Sequence, residues 1–470
     1  MADDSSGRIA ADLRSWVRSA APGARLPSTR ELVARHHASP VTVQGALRAL
    51  VAEGLVESRP GVGTFVRPRV VTRPVDYGWQ TAALRGGREP APGPGPLRVA
   101  GADVVALHSG YPDPDLLPQR LVRAALARAS RGEASVARPP AAGLSGLRTW
   151  FAQELAAATP VGVAPVTARD VVVVPGTQSG LGSVLRALVG QGRPLVVESP
   201  TYWGAILAAR QTGVRLVPVP SGPDGPDPEQ VARALAETGA RAFYAQPTYA
   251  NPTGAQWSPA TARAVLDVVR EAGAFLVEDD WAHDLGITTT PTPVAAHDDA
   301  GHVVHLRSLT KSVSTALRVG AVVARGPARD RVAADQAAES MYVSAVLQSA
   351  ALEVVSHPGR ARHLRQLREQ LRSRRDLLVS ALAEHAPHVH VPHVPAGGLA
   401  LWARLPDGTE LRRLVERCER DGLLLAGGDE WFPAEPAGPF LRLGFAGPDP
   451  ASFPAAARTL EAAVVEVGQG

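Results

Sequence analysis

Seven short runs of mostly β-branched and aromatic residues, separated by stretches of helical periodicity, occupy the chain after Val104. They are VVVV, PLVVES, VRLVPVP, RAFYAQP, AFLVEDD, VVHLRS and VGAVVAR. Strands that alternate with helices in this way form a mainly parallel sheet with helices on both faces. Such a sheet carries its binding sites at the carboxyl ends of the strands. The sequence therefore predicts an α/β fold, with functional residues directly after the strands.

The first 69 residues differ from the rest of the chain in their hydrophobic pattern and in their net charge. They hold 10 Arg against 6 acidic residues, and this surplus equals the net charge of the whole chain, +4. Three amphipathic helices are predicted, the second with a capping box at Ser28 and Glu31. The stretch LVESRPGVGTFV then reads as a hairpin around a Pro-Gly-x-Gly turn. Three helices and a basic hairpin predict a winged helix-turn-helix that faces a polyanion.

The third of these helices is predicted to read DNA. Thr42 and Gln44 are its first exposed positions, where a recognition helix meets base edges. The string GARLPSTRELVARHHASPVTVQGALRALVAEGLVESRPGVGTFV closely resembles the GntR family of bacterial transcription regulators. That resemblance implies that double-stranded DNA is the partner, that Arg30 touches phosphate or base, and that Gly61 and Gly63 let the hairpin approach the minor groove.

This family often has Arg at the positions of Pro40 and Gln44, at the start of the third helix. Because these positions usually set sequence preference, the operator cannot be inferred from relatives. A Pro- and Gly-rich stretch follows and is predicted to be an extended tether. The predicted domains are thus residues 1–69, a linker at 70–103 and a large domain at 104–470, with a small subdomain from about 357 to 470.

Lys311 is the only lysine, so the other 48 basic residues are Arg. Arg cannot replace Lys where a nitrogen must lose its proton and form a Schiff base with an aldehyde. Lys311 lies in SLTKSVSTALRVG, between Ser308 and Arg318. The Arg318 guanidinium has the planar fork that suits a phosphate. The composition alone does not decide its role, but together with these neighbours it makes Lys311 the candidate catalytic residue.

Other strand ends supply complementary groups. Thr177 and Gln178 open a helix after a glycine turn, where free amides and the helix dipole suit a phosphate. Tyr202 offers a ring for stacking, and Asn251 offers an amide donor. Asp279, at a strand end, needs a cation such as a protonated pyridine nitrogen.

Together these residues describe a site for pyridoxal 5'-phosphate (PLP). Lys311 would hold the aldehyde carbon as an imine, and Asp279 would keep the ring nitrogen protonated. Asn251 would bond the phenolic oxygen. The phosphate is assigned to Thr177, Gln178, Ser308 and Arg318.

The order NPTG, EDDW and SLTKSVSTALRVG resembles the class I and II aminotransferases of PLP fold type I, from about residue 105 to 465. By this resemblance Arg442, in FLRLGFA, would pair with the α-carboxylate of an amino acid. A GntR-like head joined to such a domain is the layout of the MocR subfamily, which implies a homodimer. Two positions depart from the family, since Trp281 and Arg138 stand where relatives have Tyr.

Three functions are consistent with the sequence. In the first, a PLP-dependent transcription regulator senses PLP or an amino compound through an aldimine at Lys311. In the second, an aminotransferase carries an accessory DNA-binding domain, although Trp281 and Arg138 disfavour full turnover. In the third, the second domain is a dimerisation scaffold without a cofactor. We predict no metal site and no membrane span. The single cysteine, Cys418, and the polar N-terminus favour the cytoplasm.

Overall fold

The computed structural model of the protein describes residues 2–68, 76–84, 95, 98–101, 104–447 and 449–468. The chain divides into two compact units, residues 1–90 and 91–470. We describe each unit by itself.

The first unit contains the predicted winged helix-turn-helix. Its two short strands pair antiparallel, with Val56 opposite Val66 and Arg59 opposite Gly63. The elements are α1 (Ala2–Ser19), α2 (Thr29–His36), α3 (Pro40–Ala52), β1 (Val56–Arg59), β2 (Gly63–Val66) and α4 (Gly78–Ala83).

Local caps define where α2 and α3 begin. The Ser28 side chain accepts a hydrogen bond from the Glu31 amide, and the Glu31 carboxylate accepts one from the Ser28 amide, at 2.7 Å. Ser39 caps α3 by accepting from the Thr42 amide at 3.2 Å, and Pro40 is the first helical residue. The apolar faces predicted for these helices form the core of the unit. Its fully buried members include Leu32, Val43, Ala46, Leu50 and Val56.

Within the predicted linker, the described residues differ from a uniformly extended tether. Residues Gly78–Ala83 form the short helix α4, and the Asp76 side chain accepts a hydrogen bond from the Gly78 amide at 2.8 Å. This local bond stabilises a helical start that composition alone does not indicate. Farther along, the Arg98 guanidinium pairs with Glu419 of the second unit's small subdomain. The other residues of 70–103 lie largely outside the described parts.

An eight-stranded sheet organises the described part of the second unit. The strand order is β4-β11-β10-β9-β8-β5-β6-β7, and β6, β5, β8, β9 and β10 pair in parallel. All seven predicted runs are strands of this sheet, so the mainly parallel sheet is confirmed. The strands are β4 (Val171–Val174), β5 (Pro194–Ser199), β6 (Arg215–Gly222), β7 (Gly225–Pro226), β8 (Ala242–Ala245), β9 (Phe275–Asp280), β10 (Val303–Ser308) and β11 (Gly320–Val323).

Helices cover both faces of this sheet. In β4, Val171 and Val173 belong to one apolar cluster, whereas Val172 and Val174 belong to another on the opposite face. This explains why the run contains four consecutive apolar residues rather than an alternating pattern. The helices are α5 (Gln119–Ala129), α6 (Ser145–Ala157), α7 (Thr177–Val184), α8 (Trp203–Thr212), α9 (Pro228–Thr238), α10 (Pro259–Glu271), α11 (Gly326–Ser340) and α12 (Ala345–Val355).

The C-terminal part, which we call the small subdomain, contains a separate sheet, and its apolar core also includes Leu107, Tyr249 and Leu285 from earlier in the chain. Its three-stranded sheet has the order β12-β15-β14, and a further strand, β13, pairs with β3 (Val105–Ala106) from the start of the unit. No described helix is both long and apolar enough to cross a membrane. The elements are α13 (Arg360–His385), β12 (Ala400–Arg404), α14 (Leu411–Arg420), β13 (Leu423–Leu424), β14 (Ala426–Gly427), β15 (Phe440–Gly444) and α15 (Phe453–Gly468).

Candidate functional site

A cavity of about 200 Å³ lies where β4, β5, β8, β9 and β10 end. The structure brings together there every residue that the sequence assigned to the cofactor or the effector. They are Thr177, Gln178, Tyr202, Asn251, Asp279, Ser308, Lys311, Arg318 and Arg442. The individual roles of these residues remain predictions, whereas their convergence is a property of the fold.

Asp279 lines the cavity and is 3% exposed. Its Oδ2 accepts hydrogen bonds from the Tyr244 hydroxyl and the Gln246 amide, both at 2.8 Å. Its Oδ1 is buried and has no hydrogen-bond partner among the described residues. Burial raises the pKa of Asp279 to about 6, against the opposing effect of the Gln246 and Tyr244 bonds. A protonated pyridine nitrogen is the kind of group that would satisfy Oδ1 and keep the carboxylate ionised.

The Lys311 amine faces an aromatic ring rather than a carboxylate. Its Nζ lies 3.3 Å from the centroid of the Tyr111 ring. Burial, together with the nearby Arg442 and Arg318 cations, holds the pKa of Lys311 well below its usual value. A lowered pKa favours the neutral form of the amine, which is the form that attacks an aldehyde.

The start of α7 and the Arg318 side chain form an anion site. Gly176 precedes the helix with φ +90°, and a Cβ there would lie 2.7 Å from Arg318 Nη2. Glycine therefore lets the guanidinium approach the helix start closely. The first amides of a helix have no intrahelical acceptor, and they attract anions. The Arg318 guanidinium beside these amides makes the position suitable for a phosphate.

Asn251 connects the large subdomain to the small one. Its Oδ1 accepts hydrogen bonds from Arg442 Nε at 2.9 Å and from Trp431 Nε1 at 3.1 Å. Because the oxygen is occupied, the amide nitrogen of Asn251 is the group left to donate to a ligand.

Arg442 is a buried cation at the same place, 2% exposed. Burial lowers its pKa to about 10. In the part of the chain that the structure describes, its polar contacts are to Asn251 and to the carbonyl oxygens of His108 and Ser109, and none is to a carboxylate. A buried guanidinium without an anion is costly, so a carboxylate ligand fits this position.

Sequence reasoning missed several residues of the site, among them Tyr244, Gln246 and Tyr111. Tyr244 and Gln246 were not assigned, although they are two positions apart and follow a β8 register that brings them beside Asp279. The spacing of two residues, which places side chains on the same face of a strand, was the sequence signal that could have identified them. No role was predicted for Tyr111, and only the fold brings its ring to Lys311.

The two departures from the aminotransferase pattern lie in different surroundings. Trp281 lines the cavity, and its buried Nε1 has no hydrogen-bond partner among the described residues. Arg138 is exposed and is not among the residues that line this cavity.

Four charged residues outside the cavity lining form what we call the Arg307 cluster: Glu154, Asp284, Arg307 and Arg360. Each arginine pairs with both acids, at 2.9–3.0 Å. The side chains of Arg307 and Asp284 are only 4% and 5% exposed. Arg307 is on β10 and Asp284 follows β9, so the cluster fixes the strand ends that carry Ser308 and Asp279.

The predicted DNA-contacting residues belong to the first unit. Arg30 is exposed on α2, Gln44 is exposed on α3, and Thr42 is half-buried beside it. In the hairpin, the Val62 amide donates to the Arg59 carbonyl at 3.0 Å. Gly61 has φ +73° and Gly63 has φ +139°, and a Cβ on Gly63 would lie 2.7 Å from Arg25 Nε. Both glycines are therefore required by the turn itself.

Comparison with known proteins identifies a family for each of the two units. Residues 102–453 match the family described as aminotransferase class I and II. Residues 5–66 match the bacterial regulatory proteins of the gntR family.

Relatives include both full-length regulators and transaminases. The probable rhizopine catabolism regulatory protein MocR of Rhizobium meliloti is 28% identical, over 91% of this chain and 86% of its own length. The uncharacterized HTH-type transcriptional regulator YdfD of Bacillus subtilis is 25% identical, over 90% and 88%. A 2-aminoadipate transaminase of Thermus thermophilus is 28% identical, over 73% and 85%.

Among solved structures, LysN, the alpha-aminoadipate aminotransferase of Thermus thermophilus, was crystallised with N-(5'-phosphopyridoxyl)-L-leucine. It is similar with a TM-score of 0.74 and 25% identity, over 83% of this chain and 99% of that chain. The fold and these relatives imply PLP as the cofactor. The chain therefore belongs to the class I and II aminotransferases and carries a gntR-family helix-turn-helix domain, the combination found in MocR-type transcription regulators.

Proposed function

We propose that this protein is a transcription regulator whose second unit senses PLP, or PLP together with an amino compound, through Lys311. The observation that carries the proposal is the pairing of two groups in one cavity: the buried amine of Lys311, and a buried Arg442 with no carboxylate partner in the described chain. An α-amino acid offers both an amine and a carboxylate. The cavity therefore suits an amino acid that meets the cofactor at Lys311 and Arg442 at its other end.

When bound, the cofactor supplies an aldehyde carbon and an electron-accepting ring. The chain's own residues would hold it. Lys311 takes the aldehyde carbon and Asp279 takes the ring nitrogen. Asn251 donates to the phenolic oxygen, and Tyr202 stacks on the ring. The phosphate is held by Thr177, Gln178, Ser308 and Arg318.

The response to an effector would begin at Arg442. Arg442 and Trp431 are residues of the small subdomain, and both donate to Asn251 of the large one. A ligand carboxylate that competes for Arg442 would change this contact and thereby the closure of the small subdomain. In a homodimer, which we also propose, this closure would alter promoter binding. The exposed Arg138 would then be available to the partner's phosphate site.

The unique lysine makes the test direct. PLP added to the purified protein should be fixed by borohydride on the peptide that contains Lys311, and Lys311→Arg should abolish the fixation because a guanidinium forms no Schiff base with the aldehyde. The same variant should also lose the change in promoter binding that PLP and amino compounds cause. If Lys311→Arg responds as the wild type does, the sensing proposal is wrong.

A second function, an aminotransferase with an accessory DNA-binding domain, is favoured by the lowered pKa of the Lys311 amine, because turnover also needs its nucleophilic form. Release of a keto acid from an amino acid and 2-oxoglutarate at enzyme-like rates would support it. Trp281 counts against it, because the position offers an indole nitrogen where relatives have a hydroxyl that tunes proton transfer. Failure across a broad panel of amino donors would leave the regulator as the function.

A further inference from the structure

Three exposed side chains form a stripe along α3. Val41 is 71% exposed, although it is apolar, and Gln44 and Arg48 are also exposed. Their spacing of three and four residues puts them on one face of the helix. The stripe therefore presents, in order, an apolar group, an amide and a guanidinium. We call it the α3 stripe.

The other side chains at the start of α3 are engaged within the unit. The Thr42 hydroxyl lies 2.8 Å from the Ser39 hydroxyl, within the cap of the helix. On the inner side α1 comes close, since a Cβ on Gly45 would lie 2.9 Å from Ser6 Oγ. Val43 is fully buried. The α3 stripe is therefore the part of this helix that is available to a partner.

The first turn of α3, Pro40–Val43, contains no cationic residue. Guanine is most often read in the major groove by Arg or Lys. Thymine, in contrast, presents a C5-methyl group that suits an apolar side chain, and adenine presents a donor and an acceptor that match an amide. An exposed valine followed by an exposed glutamine has the chemistry of A·T pairs.

We propose that Val41 contacts a thymine methyl in the major groove and that Gln44 reads an adenine one or two base pairs away, while Arg48 binds the phosphate backbone. Each operator half-site thus contains a thymine and an adenine under the first turns of α3. This inference rests on the proposed promoter-binding function and adds the base chemistry that the family resemblance leaves open.

The test begins with selection of duplexes from a random pool by the full-length protein. The consensus should contain the thymine and the adenine. Replacing that thymine by deoxyuridine, which lacks only the methyl group, should weaken wild-type binding about fourfold, the effect of one buried methyl. Val41→Ala should lose most of this difference between the two duplexes, because its shorter side chain has less apolar surface to place against the methyl group. Val51→Ala, which trims another valine of α3, 38% exposed and in its last turns, should respond to deoxyuridine as the wild type does.

Two further variants separate base reading from charge. Gln44→Ala should relax the preference at the adenine and leave the salt dependence unchanged. Arg48→Ala should keep the consensus and lower the slope of log affinity against log salt by about one.

A consensus with guanine at these positions, or a deoxyuridine effect that persists in Val41→Ala, overturns the inference and leaves the regulator intact. If Val41 instead docks on protein, its substitution will leave every duplex affinity unchanged, which also overturns the inference. Absence of any DNA binding would refute the proposed function itself.

Discussion

Asp279→Asn should change how the stability of the cofactor-free protein depends on pH. In the wild type the carboxylate is buried, and one of its oxygens has no hydrogen-bond partner in the described structure. Asparagine keeps an oxygen that can accept from Tyr244 and Gln246, but it cannot ionise. The variant therefore removes a titrating group while preserving the shape of the site.

The magnitude follows from the pKa of Asp279, which burial raises from 3.8 to about 6. Because the folded-state pKa is higher than the unfolded one, the unfolded chain ionises more easily, and stability falls as pH rises through this range. At about 1.36 kcal/mol per pKa unit, the penalty is about 0.5 kcal/mol at pH 4 and about 3 kcal/mol at pH 8. The stability of the variant relative to the wild type should therefore increase by about 2.5 kcal/mol between these two pH values.

Urea denaturation of the cofactor-free protein, followed by tryptophan fluorescence at pH 4, 6 and 8, measures this difference. Asp299→Asn is the matched control, since Asp299 is exposed and the same substitution there should give no such trend. With the cofactor bound, the wild type should be more stable than Asp279→Asn, because a protonated ring nitrogen would favour the ionised Asp279. A stability difference that stays constant from pH 4 to pH 8 would refute the reasoning about Oδ1.

Three further substitutions test other parts of the structure. Gly176→Ala places a side chain on a backbone at φ +90° and against Arg318, so thermal unfolding should show a stability loss of about 1–3 kcal/mol. Cofactor binding, measured by fluorescence titration, should also be weaker, and an unchanged affinity would contradict the anion site. Arg442→Gln should retain the cofactor and lose the absorbance change caused by carboxylate-bearing amines, and an undiminished change would exclude Arg442 as the carboxylate ligand. Ser28→Ala breaks the capping box with Glu31 and should cost the first unit about 1 kcal/mol, measured by calorimetry; an unchanged transition would show that the cap is dispensable.

The sequence was informative wherever a local pattern determines the structure. The capping box at Ser28 depends on residues three apart, and the seven strands depend on short apolar runs, so both could be predicted. The nine cavity residues could be grouped for a related reason. The carboxyl ends of parallel strands must meet at one edge, whatever the packing between them.

The remaining contacts join residues that are distant in the chain. Nothing in the local pattern around Tyr111 indicates that its ring will lie 3.3 Å from Lys311 Nζ. Likewise, the hydrogen bonds from Arg442 and Trp431 to Asn251 span 191 and 180 residues. Such contacts depend on how the small subdomain packs on the large one. The helix at Gly78–Ala83 was missed although its cause is local. The Asp76 side chain accepts a hydrogen bond from the Gly78 amide, and this bond supports a helix in a stretch whose composition is typical of a linker.

The Arg307 cluster restricts how this protein can diverge. Loss of Arg307 or Asp284 leaves the remaining three members with one unbalanced charge, at a cost of up to about 3–5 kcal/mol, which is a large share of the stability of a typical domain. Replacement of an opposite pair by apolar residues of similar volume costs far less. Single substitutions at Arg307 or Asp284 should therefore be purged by selection, while the two positions can change together. The strand ends that carry Asp279 and Ser308 would thus stay unchanged together during divergence. New ligand specificities would arise by substitutions at the rim of the cavity.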